Sequence, residues 1–229
     1  FVDAPRRDFL NRFARGGEPF LGGAVTFFPE EQAALLGPGL RGQVDPPTAV
    51  VDALYAELTG RVPGDDFMTR STYLELMYRL PELLLMRVDK MTMATSVEGR
   101  VPFLDYRMIE LSFRLANDLK VRGGVGKWVL REAMKSVLPE EILNRPKTGF
   151  GVPIDSWLRG PLRGWAEDLL DPSAMREAGY LNPEPIQRRW KEHLSGARNW
   201  QASLWCVLQF QAWHAATLAQ RPLAGMVAV

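Results

Sequence analysis

The sequence predicts a mainly helical fold. Apolar residues recur every three or four positions, as at Val50, Leu54 and Leu58, and Pro and Gly bound these segments. No series of alternating polar and apolar runs indicates a set of strands, and no internal repeat appears. With 229 residues and 46% hydrophobic content, the chain is long enough to bury a substantial core.

The first part of the chain predicts two short helices. Pro29 suits the first position of a helix that stops at Gly37, and two glutamates follow the proline at the positive helix end. A second helix is predicted from Val50 to Leu58. Between the two, "GPGLRGQVDPP" contains too many turn formers to be anything but a loop.

A long helical pattern runs from Met68 to Val97 and is interrupted by Pro81, which lacks a donor and crowds the preceding turn. The pattern predicts two helices that meet near Leu80. Asp105 is then a candidate cap for a helix that carries apolar residues on its inner side. These residues are Met108, Ile109, Leu111 and Leu115.

"VRGGVG" predicts a tight turn into a helix over "KWVLREAMKSVLP", ended by Pro139. The segment "NRPKTGFGVPIDSW" follows as an ordered loop, in which Gly149 and Gly151 permit a close approach to another group. A helix is then predicted to stop at Gly196. Asn199 is a candidate cap for the last helix, which is apolar on most sides and is therefore predicted to be central.

Composition excludes several classes of protein. The net charge of +1 gives no reason to expect a nucleic-acid partner, although Lys120 to Arg163 has nine basic and four acidic residues and leans toward anions. No segment is long and apolar enough for a membrane span. The single cysteine, Cys206, lies in an apolar run and is predicted to be buried, which suits a reducing compartment. We therefore expect a cytoplasmic protein.

Two segments could carry chemistry. Arg145 and Lys147 flank a proline and precede a glycine, so they could bring positive charge against phosphate oxygens, or they could belong to a solvated loop. Glu98 precedes the apolar turn 101–104 and could be a general base or orient a cation. The alternative is an ordinary helix-end carboxylate paired with Arg100 or Lys90.

Other site chemistries are not indicated. "RGGVGK" lacks the first glycine of a phosphate-binding P-loop and has Trp128 where that motif needs Ser or Thr. With two histidines and one cysteine, the sequence offers no metal-ligand spacing, so no metal site is predicted. There is no nucleophile elbow and no Cys/His pair for covalent catalysis.

Two long motifs in this order resemble the synthetase half of glutamine-dependent asparagine synthetases. They are "LLLMRVDKMTMATSVEGRVPFLD" (83–105) and "GVGKWVLREAMKSVLPEEILNRPKTGFGVPIDSWL" (124–158). The similarity extends more loosely from Asn11 to Trp213, and Gly99 stands where the family more often has alanine.

The resemblance implies an activity. In that family ATP activates the side-chain carboxylate of aspartate as an acyl-adenylate, and ammonia released from glutamine in a separate domain attacks it. Glu98 matches the glutamate associated with adenylate formation and the ammonia step, and Lys147 matches a lysine that stabilises charge on the departing pyrophosphate. Arg145, Arg100, Asp89 and Asp105 are placed near the ATP and pyrophosphate site without a defined role, and capping or ion pairing explains them equally well.

The resemblance also implies a larger protein. The family's Ser-Gly-Gly-Leu-Asp-Ser pyrophosphate loop and its amino-terminal glutaminase domain are not in this sequence, and the chain opens on Phe1. We therefore expect residues 1–229 to be the helical C-terminal portion of an α/β, PP-loop ATP pyrophosphatase-like synthetase domain whose parallel sheet lies largely elsewhere. The ligands of Mg²⁺ are expected in the other portion, and the 229-residue chain alone is expected to be inactive.

Three alternatives stay open at this point. A related amidotransferase or a β-lactam synthetase-like enzyme with another acceptor would carry similar motifs. A helical interaction module could retain the motifs for packing alone, and a nucleic-acid binder would use the basic excess between positions 120 and 163. The sequence does not define the acceptor, and it leaves a homodimer open.

Overall fold

The computed structural model describes residues 4–14, 16, 20–22, 25–45, 48–58, 66–146, 148–149 and 151–219. They fall into two compact units: unit 1 comprises Phe1–Val50 and Gly151–Val229, and unit 2 comprises Val51–Phe150. The described residues form fourteen α-helices, and their strands are two antiparallel strands of two residues each. The prediction of a mainly helical fold is therefore confirmed.

The helices in chain order are α1 (Ala4–Ala14), α2 (Pro29–Leu35), α3 (Ala49–Leu58), α4 (Phe67–Leu74), α5 (Met86–Met93), α6 (Tyr106–Arg114), α7 (Asn117–Lys120), α8 (Trp128–Ala133), α9 (Glu140–Leu143), α10 (Ile154–Arg159), α11 (Arg163–Leu169), α12 (Pro172–Ala178), α13 (Pro183–Leu194) and α14 (Gln201–Ala219). A π-helix occupies Glu75–Leu85, and a 3₁₀ turn occupies Pro102–Leu104. The strands are β1 (Val121–Arg122) and β2 (Val125–Gly126).

The core of unit 1 forms around α14, which packs against α10, α11 and α13. Leu204, Val207 and Leu208 of α14 are buried in this core. The Oδ1 atom of Asn199 accepts a hydrogen bond from the backbone N–H of Gln201 at 2.9 Å. Both the central position of this helix and its cap are as the sequence predicts.

Helix α2 joins the same core through its end. Leu35 is buried, and the N–H of Gly37 donates to the carbonyl oxygen of Tyr180 at 2.8 Å. A Cβ atom at position 37 would lie only 2.1 Å from the carbonyl oxygen of Gly179. Gly37 is therefore needed for close backbone contact as well as for ending the helix.

Cys206 corrects one expectation, because its side chain is exposed and its Sγ atom lies 3.6 Å from Oγ1 of Thr26. The apolar run around it suggested burial. In a helix, however, Cys206 points away from the direction shared by Leu204 and Leu208, which are four residues apart. The apolar segment around Cys206 includes residues from both the buried and the exposed face of α14, so an apolar neighbour in sequence does not imply burial.

Unit 2 contains one long helical segment in which α4, the π-helix and α5 follow without a break. The prediction that two helices meet near Leu80 is therefore wrong. Pro81 lies inside the π-helix, and the N–H of Met86 donates to the carbonyl oxygen of Pro81, five residues back. The wider π turn accommodates the proline ring and its missing donor, which an α-helix would not do without a kink.

The second half of unit 2 is built from short elements. The Oδ1 atom of Asp105 accepts from the N–H of Arg107 at 2.9 Å, which confirms the predicted cap of α6. Helix α8 ends at Ala133, so the expectation that Pro139 ends it is wrong. After α8 the backbone forms hydrogen bonds between residues three apart, as from the N–H of Val137 to the carbonyl oxygen of Met134. Pro139 instead precedes α9.

Candidate functional site

Glu98 lies in an extended segment that returns along α5. Ser96 takes a positive φ of 59° where α5 ends, and the N–H of Val97 donates to the carbonyl oxygen of Thr92 at 3.0 Å. A Cβ atom on Gly99 would lie 3.3 Å from Cγ1 of Val88 on α5. Position 99 therefore faces the helix, while Glu98 and Arg100 on either side of it are exposed.

The carboxylate of Glu98 is paired and exposed. Its Oε2 atom lies 3.3 Å from Nη2 of Arg100, with side-chain exposures of 72% for the glutamate and 83% for the arginine. Val101 and Phe103 are themselves 44% and 65% exposed, so the apolar turn does not shield the carboxylate. Of the partners that the sequence offered for Glu98, the structure shows the ion pair with Arg100.

Asp89 and Asp105 flank this segment in sequence. Asp89 is an exposed residue of α5 beside Val88, and its carbonyl oxygen accepts from Oγ1 of Thr92 at 3.2 Å. The carboxylate of Asp105 binds the guanidinium of Arg107 through two hydrogen bonds of 2.9 and 2.7 Å. These side-chain hydrogen bonds, followed by the backbone N–H of Arg107, lower the pKa of Asp105. Asp105 is thus engaged as a cap and ion-pair partner.

The basic loop after α9 is described only in part. Arg145 is exposed and follows Asn144, the residue at the end of α9. Lys147 lies outside the described residues, so the role that the family resemblance implies for it stays a prediction. A Cβ atom on Gly149 would meet nothing within 4 Å, which leaves room beside this glycine.

The "RGGVGK" segment forms a hairpin, as the tight-turn reading predicts. Val121 pairs with Gly126, and Gly123 and Gly124 have positive φ angles of 57° and 79°. Two consecutive positive φ angles are the pattern of a type I′ hairpin turn, which favours two glycines. Lys127 also has a positive φ, of 56°, and leads directly into α8.

A cavity of about 510 Å³ opens between α8 and α9 within unit 2. It is lined by two cations and two anions, together with apolar residues and Asn144, which precedes Arg145. The four charged residues are Arg131, Lys135, Glu132 and Glu140. Because these charges balance, the lining itself gives no preference for an anion.

Arg131 is a structural arginine that the sequence did not single out. Its Nε atom donates to the carbonyl oxygen of Gly126 at 3.2 Å, and its Nη1 atom donates to that of Leu143. It thereby ties the hairpin to the end of α9. Arg122 is also occupied, because it pairs with Asp118 and lies 3.7 Å above the ring of Trp128.

Other cations of the basic stretch also have partners. Lys135 pairs with Glu132, Arg159 with Asp155, and Arg163 with Glu167. Arg122 and Arg131 also form hydrogen bonds within the chain. Many cations of the basic stretch are therefore engaged with partners in this chain. The basic excess is therefore a weaker argument for an anionic partner than the sequence suggested.

Asp66 accepts four hydrogen bonds and was not among the residues that the sequence singled out. Its Oδ1 atom accepts from the N–H groups of Met68 and Thr69, and Oδ2 accepts from the hydroxyl of Thr69. Nδ2 of Asn117, 51 residues away, donates to the same Oδ1 at 3.0 Å. An aspartate before an apolar helical segment was the available signal.

Within the described ranges, no three His, Cys, Asp or Glu side chains converge on a point that could hold a metal ion. None of the described helices is long and apolar enough to cross a membrane.

Comparison with known proteins gives the family. The model of the asparagine synthase family matches residues 7–215, and the chain belongs to this family. A putative glutamine-hydrolysing asparagine synthetase of Mycobacterium bovis is 36% identical over 200 residues, which are 86% of this chain and 29% of that protein. Glutamine-hydrolysing asparagine synthetase 1 of Bacillus subtilis is 33% identical over 138 residues, or 60% of this chain and 22% of that protein.

The Bos taurus asparagine synthetase is 31% identical over 137 residues, which cover 53% of this chain and 24% of that protein. The matches to these three relatives therefore span between 22% and 29% of each relative's length. No solved structure matches the chain.

Proposed function

We propose that this chain is the helical portion of an ATP-dependent, amide-forming ligase of the asparagine synthetase type. In this proposal, the whole enzyme adenylates the side-chain carboxylate of aspartate, and ammonia derived from glutamine then displaces the nucleotide. The observation that carries the proposal is the family match over residues 7–215, which includes both motifs. The named relatives are themselves called glutamine-hydrolysing asparagine synthetases.

We also propose that residues 1–229 work as one part of a longer synthetase. The chain matches only 22% and 29% of the length of two of these relatives, which supports this view. So does the surface of unit 2, where Met91, Phe103 and Tyr106 are 75%, 65% and 69% exposed. We propose that these exposed apolar side chains belong to one surface that packs against protein. The proposed partner is the portion with the glutaminase and the pyrophosphate-binding loop.

Glu98 and Lys147 are the proposed catalytic residues. The exposed carboxylate of Glu98 is accessible to a substrate, and the other portion of the enzyme would have to provide the shielding that unit 2 lacks. In the shielded site, a base positioned for ammonia typically accelerates the reaction by about a hundredfold or more. Lys147 would stabilise the negative charge that grows on the phosphate groups during attack.

In this proposal ATP supplies the activating adenylyl group, and pyrophosphate leaves as the acyl-adenylate forms. Arg145 and Lys147 are the residues of the basic loop that would hold its phosphates, because fixed positive charge favours phosphate oxygens. Since no acidic cluster is present among the described residues, no step is assigned to Mg²⁺ here. Its ligands are proposed to come from the other portion of the enzyme.

The test uses the full gene product that carries this chain, assayed for ATP-dependent amide formation with aspartate and with other carboxylates. We expect aspartate to be the preferred acceptor and Lys147→Ala to reduce kcat by about a hundredfold or more. Lys191→Ala, which removes an exposed lysine of α13, is the matched control and should leave kcat unchanged.

Other outcomes decide between the alternatives. Preference for another carboxylate would assign the chain to a related amidotransferase. Unaltered turnover in a folded Lys147→Ala variant would favour a helical interaction module. Asparagine formation by the purified 229-residue chain alone would contradict the proposal that a second portion is required.

A further inference from the structure

Unit 1 contains a cleft that the proposed synthetase chemistry does not use. It lies between α2, α13 and the connection that leads to α14, and its volume is about 410 Å³. Six of its lining residues are charged or aromatic: Glu31, Arg188, Arg189, Glu192, Arg198 and Trp200. We call it the arginine cleft, because three guanidinium groups meet two carboxylates in it.

Arg189 forms the floor of the arginine cleft. Only 7% of its surface is exposed, and its Nη2 atom lies 2.8 Å from Oε1 of Glu31. Its guanidinium lies over the rings of Trp200 and Phe27, at 4.6 and 5.4 Å. The Nε atom of Arg189 has no hydrogen-bond partner among the described residues. The charge of the buried Arg189 guanidinium is thus balanced by its ion pair with Glu31.

The two carboxylates of the cleft are already occupied. Oε2 of Glu31 accepts from the N–H of Phe28 at 3.2 Å, while its other oxygen holds Arg189. Oε2 of Glu192 accepts from the indole N–H of Trp200 at 2.6 Å. Neither Arg188 nor Arg198 forms an ion pair with a carboxylate in the part of the chain that the structure describes. With three guanidinium groups and two carboxylates in its lining, the cleft has an excess of one positive charge, and neither Arg188 nor Arg198 is held by a carboxylate of the described residues.

Arg198 is held in position by the fold. Its guanidinium lies 4.0 Å above the ring of Trp200, and its N–H donates to the carbonyl oxygen of Glu192 at 3.2 Å. Burial lowers the pKa of Arg189, and the nearby charges of Arg188 and Arg198 lower it further, whereas Glu31 raises it. Arg188, Arg189 and Arg198 all line the cleft, so an anion bound in it would relieve the repulsion that Arg188 and Arg198 exert on Arg189.

We propose that the arginine cleft binds a phosphate group, held by the guanidinium groups of Arg188 and Arg198 above the buried Arg189. A guanidinium presents two parallel N–H groups that match phosphate oxygens, which favours a phosphate over a monovalent anion. The stacking of Arg198 on Trp200 reduces the entropy that is lost when the anion binds. This binding is independent of the synthetase reaction, since it needs neither Glu98 nor Lys147.

The probe is inorganic phosphate, titrated into the full 229-residue chain and followed by calorimetry at constant ionic strength. Arg188→Gln combined with Arg198→Gln should raise the Kd for phosphate by about tenfold or more, because charge-assisted hydrogen bonds are lost. Arg176→Gln combined with Lys191→Gln removes the same charge from exposed sites of unit 1 outside the cleft. This control should leave the Kd unchanged.

Three results would overturn the proposal: no phosphate binding beyond that of chloride, an equal loss of affinity in the control pair, or equally tight binding of succinate. Succinate carries the same charge on carboxylates and so separates a phosphate site from a general dianion site. Circular dichroism verifies that each variant is folded. If the double variant does not fold, Arg198→Lys is measured in its place. This change keeps the positive charge and removes the two parallel N–H donors of the guanidinium. An unchanged Kd for phosphate in this variant would also overturn the proposal.

Discussion

His193 is a fully buried residue whose environment requires the neutral ring. Its Nδ1 atom accepts a hydrogen bond from the N–H of Trp200 at 3.2 Å, so the ring proton lies on Nε2. Nε2 faces Oδ1 of Asp155 at 3.6 Å, and Arg159 donates to the backbone carbonyl of His193. Burial, followed by the charge of Arg159, lowers the pKa of His193, although Asp155 raises it.

This arrangement predicts a loss of stability in mild acid. The unfolded chain takes up the proton near pH 6.5, whereas the folded chain resists it, so the unfolded state binds more protons below that pH. The contribution of His193 is therefore complete above about pH 6.5 and declines as the pH falls. Urea unfolding at pH 7.5 and 5.5 should show this decline in the original chain and not in His193→Asn, which keeps an acceptor for Trp200.

His214 provides the matched control. Its ring contacts the rings of Tyr180 and Phe210 at centroid distances of 5.0 and 6.1 Å. His214→Asn should keep the pH dependence of the original chain. A pH dependence that survives in His193→Asn would show that another group causes it.

Single residues were predictable where the signal is local. Asp105 and Asn199 precede helical patterns, and both cap their helices. The exposures of Glu98 and Cys206 were not predictable, because each depends on what the rest of the chain places over a side chain. An apolar sequence neighbour does not guarantee an apolar spatial neighbour.

At the scale of elements, the clearest difference concerns Pro81. The sequence pattern places a helix boundary there, since proline usually kinks or ends an α-helix. The chain instead forms a π-helix from Glu75 to Leu85 and continues into α5. Side-chain spacing distinguishes a helix from a strand, but it does not reveal whether the backbone bonds span four or five residues. The hydrogen-bond pattern therefore had to come from the structure.

Asp66 connects the start of α4 with α7, and its loss should weaken both elements. Asp66→Ala removes the N-cap acceptor and the bond from Asn117, so we expect a loss of about 1–2 kcal/mol in the free energy of unfolding. Asp66→Asn keeps a capping oxygen and should retain most of the stability. Urea unfolding at pH 7 measures both variants, and equal stability of the alanine variant and the original chain would contradict this role.

The same carboxylate predicts an acid effect. The N–H of Thr69, followed by the hydroxyl of Thr69, lowers the pKa of Asp66 to about 2. The unfolded value is about 3.9, so the contribution is present above that pH and is lost as the pH falls toward about 2. The stability difference between the original chain and Asp66→Ala should narrow over this range.

At the scale of the whole molecule, the exposed apolar surface of unit 2 should govern solution behaviour. Met91→Glu combined with Phe103→Gln should change stability by no more than about 0.5 kcal/mol per site, because both side chains are exposed. The same pair should reduce self-association of the 229-residue chain in analytical ultracentrifugation. In the full gene product, it should weaken the proposed packing and lower synthetase activity.

Trp213→Gln is the control for that surface, since Trp213 is 61% exposed and lies in unit 1. It should leave the activity of the full gene product unchanged. Retained activity in the Met91 and Phe103 variant would remove the argument that this surface packs against another portion of the enzyme.

The helical class was predictable from the period of apolar residues over long segments, and the central position of α14 was predictable because that helix is apolar on most sides. The division into two units was not, since unit 1 joins the beginning of the chain to residues after position 150. That pairing depends on contacts between distant residues, such as the ion pair of Glu31 with Arg189. The family motifs supplied site residues that periodicity alone could not.

The central claim is that Glu98 and Lys147 act at one catalytic site, and a double-mutant cycle on the full gene product tests it most directly. The measured quantity is the rate of ATP-dependent asparagine formation in Glu98→Gln, Lys147→Ala and the double variant, with Glu110→Gln as an exposed-carboxylate control. We predict losses of about a hundredfold or more for each single variant. The rate of the double variant should fall by much less than the product of the two single-variant losses, because the effects of substituting residues that act together are not additive. Independent, multiplicative losses, or near-normal rates in either single variant, would contradict the account.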